Sequence, residues 1–341
     1  MFDLKYFVGG NTYFNKADAY ITAKGDPQKI KGSIFNDRLY NFIWNIEPPE
    51  SFDTLLKQRA QQLREQYSEL TLLFSGGRDS FTVLETFRKN NIHLDNVILS
   101  VTEYATGWEE DLGNWDYIHV AKPILKEYEL LMPKTKFSYI AERNLKSLDD
   151  FDYHIQINGL STKFRIFIPV SLEHNWKSHN HTYITGCLEP RVSFYDDSWH
   201  FDIWDTDNPE TYRNMCNTVP FYTHPDFPQL HSKQCHIVKK YLIYINEKNN
   251  ESGVDSHDYL QSVGADPNSN LKNLLCRDTH PLIEKKSLVK GQERSKFMYL
   301  NTLKTLSKEY RKRFIDLNNY KIGGIPLKNI RFGVKVFSVS V

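Results

Sequence analysis

The chain has few cysteines, and none of them form the closely spaced pairs that mark metal or redox modules. Its 341 residues include 4 cysteines, at Cys187, Cys216, Cys235 and Cys276. Structural zinc sites and small disulfide scaffolds are typically built from closely spaced cysteines, so both are disfavoured here. This cysteine usage suits a reducing compartment.

Long apolar runs and a charge excess are also missing. No run approaches transmembrane length, and residues 1–5 lack the apolar stretch of a secretory signal. The formal net charge is +1, from 43 basic and 42 acidic residues, so the whole chain carries no electrostatic signature of nucleic-acid binding, although a local basic patch stays open. We therefore expect a cytoplasmic protein (host cytoplasm if it is viral) with no membrane partner. The length suggests about two domains.

Two common phosphate-binding signatures are absent as well. The chain has neither G-x-x-x-x-G-K-[ST] nor G-x-G-x-x-G. It has instead an apolar run of strand length at 70–74, followed directly by S-G-G-R-D-S at 75–80 and by apolar residues at helical spacing from Phe81 to Phe87. A strand, a glycine turn and a helix gather backbone N–H groups and the positive end of the helix at one point. Such a point binds phosphate.

The next segment predicts a βαβ unit around this turn. Asn90 and Asn91 supply a helix stop, and residues 96–101 have the composition of a second buried strand. The glycines would then lie at the carboxyl end of the first strand, where ligands of open α/β sheets bind. The alternative is an ordinary strand–turn–helix connection, in which Asp79 or Ser75 only caps the helix.

The residue types of the turn suit a polyphosphate. Gly76 and Gly77 permit positive φ and let a polyphosphate approach the main chain without a Cβ in the way. The hydroxyls of Ser75 and Ser80 can donate to phosphate oxygens. Asp79 would be repelled by a bare polyphosphate, so its presence suggests a bridging Mg²⁺.

The pattern S-G-G-x-D-S, with Arg78 at its variable position, resembles the signature of the PP-loop superfamily, the N-type ATP pyrophosphatases. Members include the synthetase domain of asparagine synthetase, argininosuccinate and GMP synthetases, tRNA lysidine synthetase and the phosphoadenosine phosphosulfate reductases. The resemblance implies an α/β fold of the adenine nucleotide alpha hydrolase type, a parallel sheet with helices on both faces. It also implies ATP and Mg²⁺ as cofactors, with ATP split between its α- and β-phosphates.

Further similarities point to asparagine synthetase within the superfamily. Residues 116–121 are similar to a D-x-x-x-V-A helix of that family, and residues 184–191 stand where it has a strand ending in S/T-G and then an acidic loop. The sequence departs from the family in this loop, which lacks a second glycine and holds a single acid, Glu189. The resemblance covers about residues 50–200.

The resemblance also implies roles for residues outside the turn. Main-chain groups of the second strand would hold adenine, at Leu99, Ser100 and Val101. Gly186 and Glu189 would border the substrate, and Arg191 would stabilise negative charge. With Asp79, which would help to hold Mg²⁺, Glu189 and Arg191 are the candidate catalytic residues.

The leading hypothesis is an ATP-dependent, AMP-forming ligase that adenylates a carboxylate or amide oxygen, releases pyrophosphate and then forms a C–N bond on a small-molecule substrate. The glutaminase domain of asparagine synthetase begins with a cysteine after Met1, but position 2 is Phe. The nitrogen is therefore expected from free ammonia, an amine substrate or a separate ammonia-supplying subunit. Three alternatives stay open: an enzyme that modifies bases of tRNA or DNA, a sulfonucleotide reductase-like protein, and a non-catalytic nucleotide-binding module.

We divide the chain into three predicted parts. They are a β-rich N-terminal element at 1–50 with apolar runs that include 39–46, the PP-loop ATP-binding domain at 51–200, and a mixed, partly helical C-terminal region at 201–341. The central part is expected to hold a helix capped by Ser51, a helix over 115–131 with a break at Pro123, and strands at 136–140, 164–170 and 182–185. The C-terminal part is expected to hold loops at 249–253 and 264–270, a helix at 295–318 and a final strand near 332–336.

Two weaker patterns remain. Histidines with a cysteine among them cluster at His174, His179 and His181, and again at His231, Cys235 and His236. Metal ligation stays open for them, but the spacings match no standard zinc module, so solvated loop histidines are favoured. The aromatic stretch at 194–204 predicts either a packed hairpin with acidic edges or a substrate wall.

Overall fold

A computed structural model describes residues 3–13, 19, 22–23, 26–102, 117–142, 181–186, 190–195, 197–204, 217–252, 275, 280–286, 321–322, 325–326 and 335–341. The strands are β1 (Asp3–Val8), β2 (Asn11–Tyr13), β3 (Lys31–Phe35), β4 (Glu69–Phe74), β5 (Asn96–Thr102), β6 (Lys136–Glu142), β7 (His181–Thr185), β8 (Arg191–Tyr195), β9 (Ser198–Trp204), β10 (Asn217–Pro220), β11 (Lys321–Ile322), β12 (Ile325–Pro326) and β13 (Lys335–Ser340). The α-helices are α1 (Asp37–Tyr40), α2 (Phe52–Gln66), α3 (Arg78–Lys89), α4 (Lys122–Leu131), α5 (Pro228–Ser252) and α6 (Pro281–Lys286).

The strands around the glycine turn form one five-stranded sheet in the order β10-β7-β4-β5-β6. Each neighbouring pair is parallel. Strand β4 lies in the centre, between β7 and β5, and its residues Leu70, Leu72 and Phe74 are buried in the main apolar core. The chain is therefore an α/β protein with a parallel sheet, as the sequence predicts.

The order of the strands reverses direction once. From β4 the chain steps outward to β5 and β6, and then returns to β7 and β10 on the other side of β4. Right-handed crossovers put α3 and α4 on one face of the sheet. In agreement, the rings of Phe81 on α3 and Tyr128 on α4 lie 5.8 Å apart. The predicted strand at 164–170 lies outside the described residues, and helices on both faces of the sheet stay a prediction.

Local sequence signals set the ends of the helices. Ser51 is the N-cap of α2, and its Oγ accepts a hydrogen bond from the N–H of Thr54 at 3.1 Å. Helix α3 ends at Lys89 with Asn90 as its C-cap, and the next residue, Asn91, takes a left-handed conformation with φ of +53°. Pro123 lies in the first turn of α4, directly behind a π-helical turn at Tyr117–Ala121. The predicted break is thus a change from π-helical to α-helical geometry.

A second apolar core lies beside two antiparallel sheets. Strands β1, β2 and β3 form one sheet and β8, β9 and β13 the other. Ile34, Trp44, Phe201, Cys235 and Phe337 meet in this core, so it is built from both sheets and from α5. The aromatic stretch at 194–204 is accordingly a packed hairpin of β8 and β9. Strand β13 overlaps the final strand predicted near 332–336 only at residues 335 and 336, because it runs on to Ser340 and residues 332–334 lie outside the described residues.

The expectation of β structure at 39–46 is wrong. This stretch contains the end of α1 and the turns behind it. Asn36 caps α1 through its side chain, which accepts from the N–H of Leu39, and the indole of Trp44 donates to the Leu39 carbonyl at 3.0 Å. These local hydrogen bonds satisfy main-chain groups that a strand would have paired with a neighbour.

The expectation of exposed loops at 249–252 is also wrong, because these residues end α5. The first half of α5 is buried, and tertiary packing of this kind extends helices through residues with modest helix propensity. Residue 253, the loop at 264–270 and the helix at 295–318 lie outside the described residues.

The three-part division of the chain stays a prediction, and β9 spans its boundary at residue 200. None of the described helices is long and apolar enough to cross a membrane.

Candidate functional site

The turn at 75–80 lies where the strand order reverses. Strand β4 pairs with β5 on one side and with β7 on the other. Phe74 is level with Leu99, and Leu73 is level with Thr185, so the carboxyl ends of the three strands lie side by side. Connections leave this point in opposite directions, and open α/β sheets bind their ligands at such a switch in strand order.

The two glycines of the turn have different physical roles. Gly76 has φ of +69°, and a Cβ at this position would lie 2.6 Å from the Cβ of Ala121, so both conformation and space exclude a side chain. Gly77 has ordinary extended geometry, with φ of −92° and ψ of 163°, and is the N-cap of α3. Because glycine has no side chain, it makes no side-chain cap hydrogen bond to the first turn of α3, a position where an anion can act as the acceptor instead.

The two serines close the turn from inside. The N–H of Ser75 donates to Oγ of Ser80 at 3.2 Å, and the two hydroxyl oxygens lie 3.1 Å apart. The Ser80 hydroxyl also donates to the carbonyl of Gly77 at 3.2 Å. Ser80 is only 2% exposed, whereas Ser75 is exposed. Ser80 therefore shapes the turn, and the Ser75 hydroxyl is the one that lies at the surface.

Segments from three other parts of the chain pack against the turn. Ala121 comes from the crossover between β5 and β6 and contacts Gly76. Gly186 follows β7, and a Cβ there would lie 2.9 Å from the Cα of Ser80. Tyr222 follows β10, and its hydroxyl donates to the main-chain oxygen of Asp79 at 2.8 Å. The turn is thus contacted on one side by the segments that follow β7 and β10, and on the other by the π-helical turn that precedes α4.

A buried arginine fixes the segment that carries Tyr222. Arg59 on α2 is 0% exposed. Its guanidinium donates to the carbonyls of Pro220 at 2.9 Å and Phe221 at 3.1 Å, and to Oε1 of Gln62 at 2.6 Å. Burial lowers the pKa of Arg59 to about 9, against the opposing effect of Asp226 and Tyr67. Hydrogen bonds to carbonyls replace the lost water around this cation.

A second buried contact joins α3 to α4. The carboxylate of Glu85 accepts hydrogen bonds from the Tyr128 hydroxyl and from Nε of Arg88, the latter at 2.7 Å. Burial alone would raise the pKa of Glu85, but the hydrogen bonds from Arg88 and Tyr128, together with the charges of Arg88 and Lys89, lower it overall. This carboxylate therefore stays charged and ties the two helices together behind the turn.

The other residues predicted for the site are spread over several elements. Leu99, Ser100 and Val101 form the end of β5 beside the turn, and the Leu99 side chain is buried in the core. Arg78 and Asp79 open α3 and are half-buried. Arg191 is the first residue of β8, opposite Asp202 in the hairpin, and Glu189 lies outside the described residues. The structure thus joins Gly186 directly to the turn.

Sequence reasoning missed Tyr222 and Arg59, and it singled out Ala121 only as the last residue of the family-like segment at 116–121, without a role at the turn. Arg59 had a usable signal, because it occupies a core position of the α2 stripe between Leu56 and Leu63, where a charged residue is out of place. Tyr222 had no such signal, since only the order of the strands brings it to the turn.

The second histidine cluster belongs to a core and not to a solvated loop. His231 and Cys235 lie one helical turn apart on α5, with Nε2 and Sγ 3.6 Å apart, and both are buried. Burial lowers the pKa of His231 to about 4, against the opposing effect of Asp202. His236 is buried too, with Nε2 2.9 Å from the Trp44 carbonyl. His174 and His179 lie outside the described residues, and His181 begins β7.

Within the described ranges, no three or more His, Cys, Asp or Glu side chains form a group that could hold a metal ion. Asp79 alone would therefore need oxygen atoms from a ligand to complete a Mg²⁺ site. Mg²⁺ in proteins is commonly bound in this way, by one or two carboxylates together with phosphate oxygens and water.

The chain matches no protein-family model, and no curated protein matches it. The residues of the turn and their geometry are therefore the basis for a functional proposal.

Proposed function

We propose that the chain is an ATP-dependent ligase of the PP-loop type. It would adenylate a carboxylate or amide oxygen with release of pyrophosphate, and a nitrogen nucleophile would then displace AMP to form a C–N bond. The observation that carries this proposal is the location of S-G-G-R-D-S at the reversal of the parallel strand order, with glycine at the N-cap of α3. The same observation supports the more specific fold assignment, the adenine nucleotide alpha hydrolase type.

The residues of the turn fit a polyphosphate. The N-terminal turn of α3 carries the positive end of the helix dipole, and its cap residue, Gly77, makes no side-chain hydrogen bond to that turn. The exposed hydroxyl of Ser75 lies beside this helical turn and can donate to the same polyphosphate. For Ser80 we propose a structural role instead, because its hydroxyl already makes hydrogen bonds within the turn, to the N–H of Ser75 and the carbonyl of Gly77.

Asp79 would hold Mg²⁺ together with the phosphates, since it is in the first turn of α3. Bound Mg²⁺–ATP would supply the activated α-phosphate and a neutralised pyrophosphate leaving group. The chain's own contribution would be alignment and electrostatic stabilisation by the fixed N–H groups of the turn.

The remaining roles follow the layout of the sheet. The end of β5, Leu99 to Val101, lies beside the turn and would hold adenine through main-chain groups. Gly186 lies on the opposite side, at the end of β7, and would border the acceptor substrate. Glu189 and Arg191 follow it in the chain and are proposed to act on that acceptor.

The test is ATP consumption by the purified protein with Mg²⁺ and pools of candidate acceptors. AMP and pyrophosphate are measured separately from ADP and phosphate. We expect AMP and pyrophosphate in equal amounts, with formation that depends on small carboxylic acids or amides and on ammonia or an amine. Predominant ADP would overturn the adenylation mechanism. A requirement for tRNA or DNA in place of the small acceptors would assign the chain to nucleic-acid modification.

A further inference from the structure

One peptide unit of the turn is held from two sides by residues that come from distant strands. The carbonyl of Asp79 and the N–H of Ser80 belong to the same planar peptide unit, so fixing one atom fixes the other. Tyr222 donates to the Asp79 oxygen at 2.8 Å. A Cβ at Gly186 would lie 3.1 Å from that oxygen and 3.1 Å from the nitrogen of Ser80. The backbone of Gly186 therefore lies directly against this peptide unit.

The two contacts depend on each other. Because residue 186 has no side chain, β7 can approach the peptide unit closely and leave its oxygen open to the Tyr222 hydroxyl. A hydrogen bond to a peptide oxygen also polarises the N–H of the same unit and makes it a better donor. The contact from Tyr222 thus orients and strengthens a donor in the first turn of α3.

Tyr222 is itself fixed in place. It is 1% exposed, and its ring packs edge-on against Phe221 with centroids 5.1 Å apart. The carbonyls of Pro220 and Phe221, directly before it, accept hydrogen bonds from the buried Arg59. The N–H of Phe221 donates to the carbonyl of Thr185, the residue before Gly186, at 2.9 Å. The segments that carry Tyr222 and Gly186 are therefore joined to each other and to α2.

We infer that Tyr222 is a positioning residue for the turn at 75–80. Its hydroxyl and the backbone of Gly186 hold the Asp79–Ser80 peptide unit in the orientation that binds an anion, before the ligand arrives. The inference deepens the proposed function and rests on it for the identity of the ligand, which is the polyphosphate of Mg²⁺–ATP. Preorganisation of this kind lowers the ordering penalty of binding.

The test compares Tyr222→Phe with Tyr128→Phe in the full-length chain. Both variants keep the ring and remove one hydroxyl that bonds to α3, but Tyr128 bonds to Glu85, farther along that helix. Two quantities are measured on folded protein: hydrogen exchange of residues 75–80 without ligand, and the Kd for Mg²⁺–ATP. We expect Tyr222→Phe to speed the exchange and to raise the Kd about fivefold, the effect of one hydrogen bond. Tyr128→Phe should lower the unfolding temperature and leave both quantities unchanged.

The outcomes separate this inference from the proposed function. Unchanged exchange and unchanged Kd in Tyr222→Phe, or equal changes in the two variants, overturn the positioning role while ATP binding by the wild type stands. A wild type that does not bind Mg²⁺–ATP overturns the proposed function, whereas exchange still reports on the positioning role. If Tyr222→Phe does not fold, hydrogen exchange and the Kd for Mg²⁺–ATP are measured on Gly186→Ala instead, because the added Cβ would displace the same peptide unit.

Discussion

Gly76 packs directly against Ala121, so closely that a Cβ at position 76 would lie 2.6 Å from the Cβ of that residue. Ala121 ends the π-helical turn that precedes α4. The contact therefore couples the shape of the glycine turn to the crossover between β5 and β6. Position 76 is restricted by this neighbour as well as by its φ of +69°.

We expect Gly76→Ala to lower stability by more than the ~1–2 kcal/mol that an ordinary residue loses in the left-handed region. The matched control is Gly9→Ala, because Gly9 has φ of +57° and open space around its Cβ position among the described residues. Urea unfolding of both variants separates conformational strain from steric conflict. Ala121→Gly should restore part of the stability of Gly76→Ala, and equal losses at positions 9 and 76 would refute the role given to this contact.

The segment from β4 to β5 is predictable because its signals are local. An apolar strand, two glycines, a helical stripe and an Asn stop all lie within one stretch, and the structure forms β4, α3 and β5 there. Gly186 was expected at the site from a resemblance, not from a local pattern. Tyr222 lies 143 residues from Asp79, and their meeting depends on the order of the strands, which no local pattern contains.

Helix α5 escaped prediction for a different physical reason. It lies between the two apolar cores, with Leu230 and Val238 in one and Cys235 in the other. A helix that is covered on several sides has no single apolar stripe, so the periodicity that predicts helices is lost. In the run at 39–46, by contrast, the composition suggested strands although Ile43 and Ile46 are exposed.

Asp79→Asn should abolish product formation and leave the fold intact. The substitution removes the charge proposed to hold Mg²⁺, and we expect at least about a hundredfold loss of turnover, the scale of losing one electrostatic stabiliser. Asp53→Asn is the matched control, because Asp53 also lies in the first turn of a helix, α2, away from the turn at 75–80. Both variants lose a similar helix-dipole interaction of about 0.3–1 kcal/mol. An Asp79→Asn variant with wild-type turnover of ATP would remove the proposed metal role.

Arg59→Met should destabilise the protein strongly, because it removes the donors to the carbonyls of Pro220 and Phe221. A buried carbonyl without a partner costs about 1–3 kcal/mol. The control is Lys57→Met on the exposed side of the same helix, for which we expect a change within about 0.5 kcal/mol. Urea unfolding monitored by fluorescence measures both. A loss as small as that of the control would show that Arg59 does not hold the end of β10.

The pH dependence of stability should carry a signature of His231. Burial lowers its pKa from 6.5 to about 4 in the folded protein, so between these values the unfolded chain binds more protons than the folded one. The stability that His231 contributes through this shift is therefore fully present above pH 6.5. It is lost as the pH falls towards 4, and the loss is about 3 kcal/mol. Unfolding free energies measured across this range should fall less steeply for His231→Gln than for the wild type. Parallel curves for wild type and His231→Gln would mean that His231 is not buried in its neutral form.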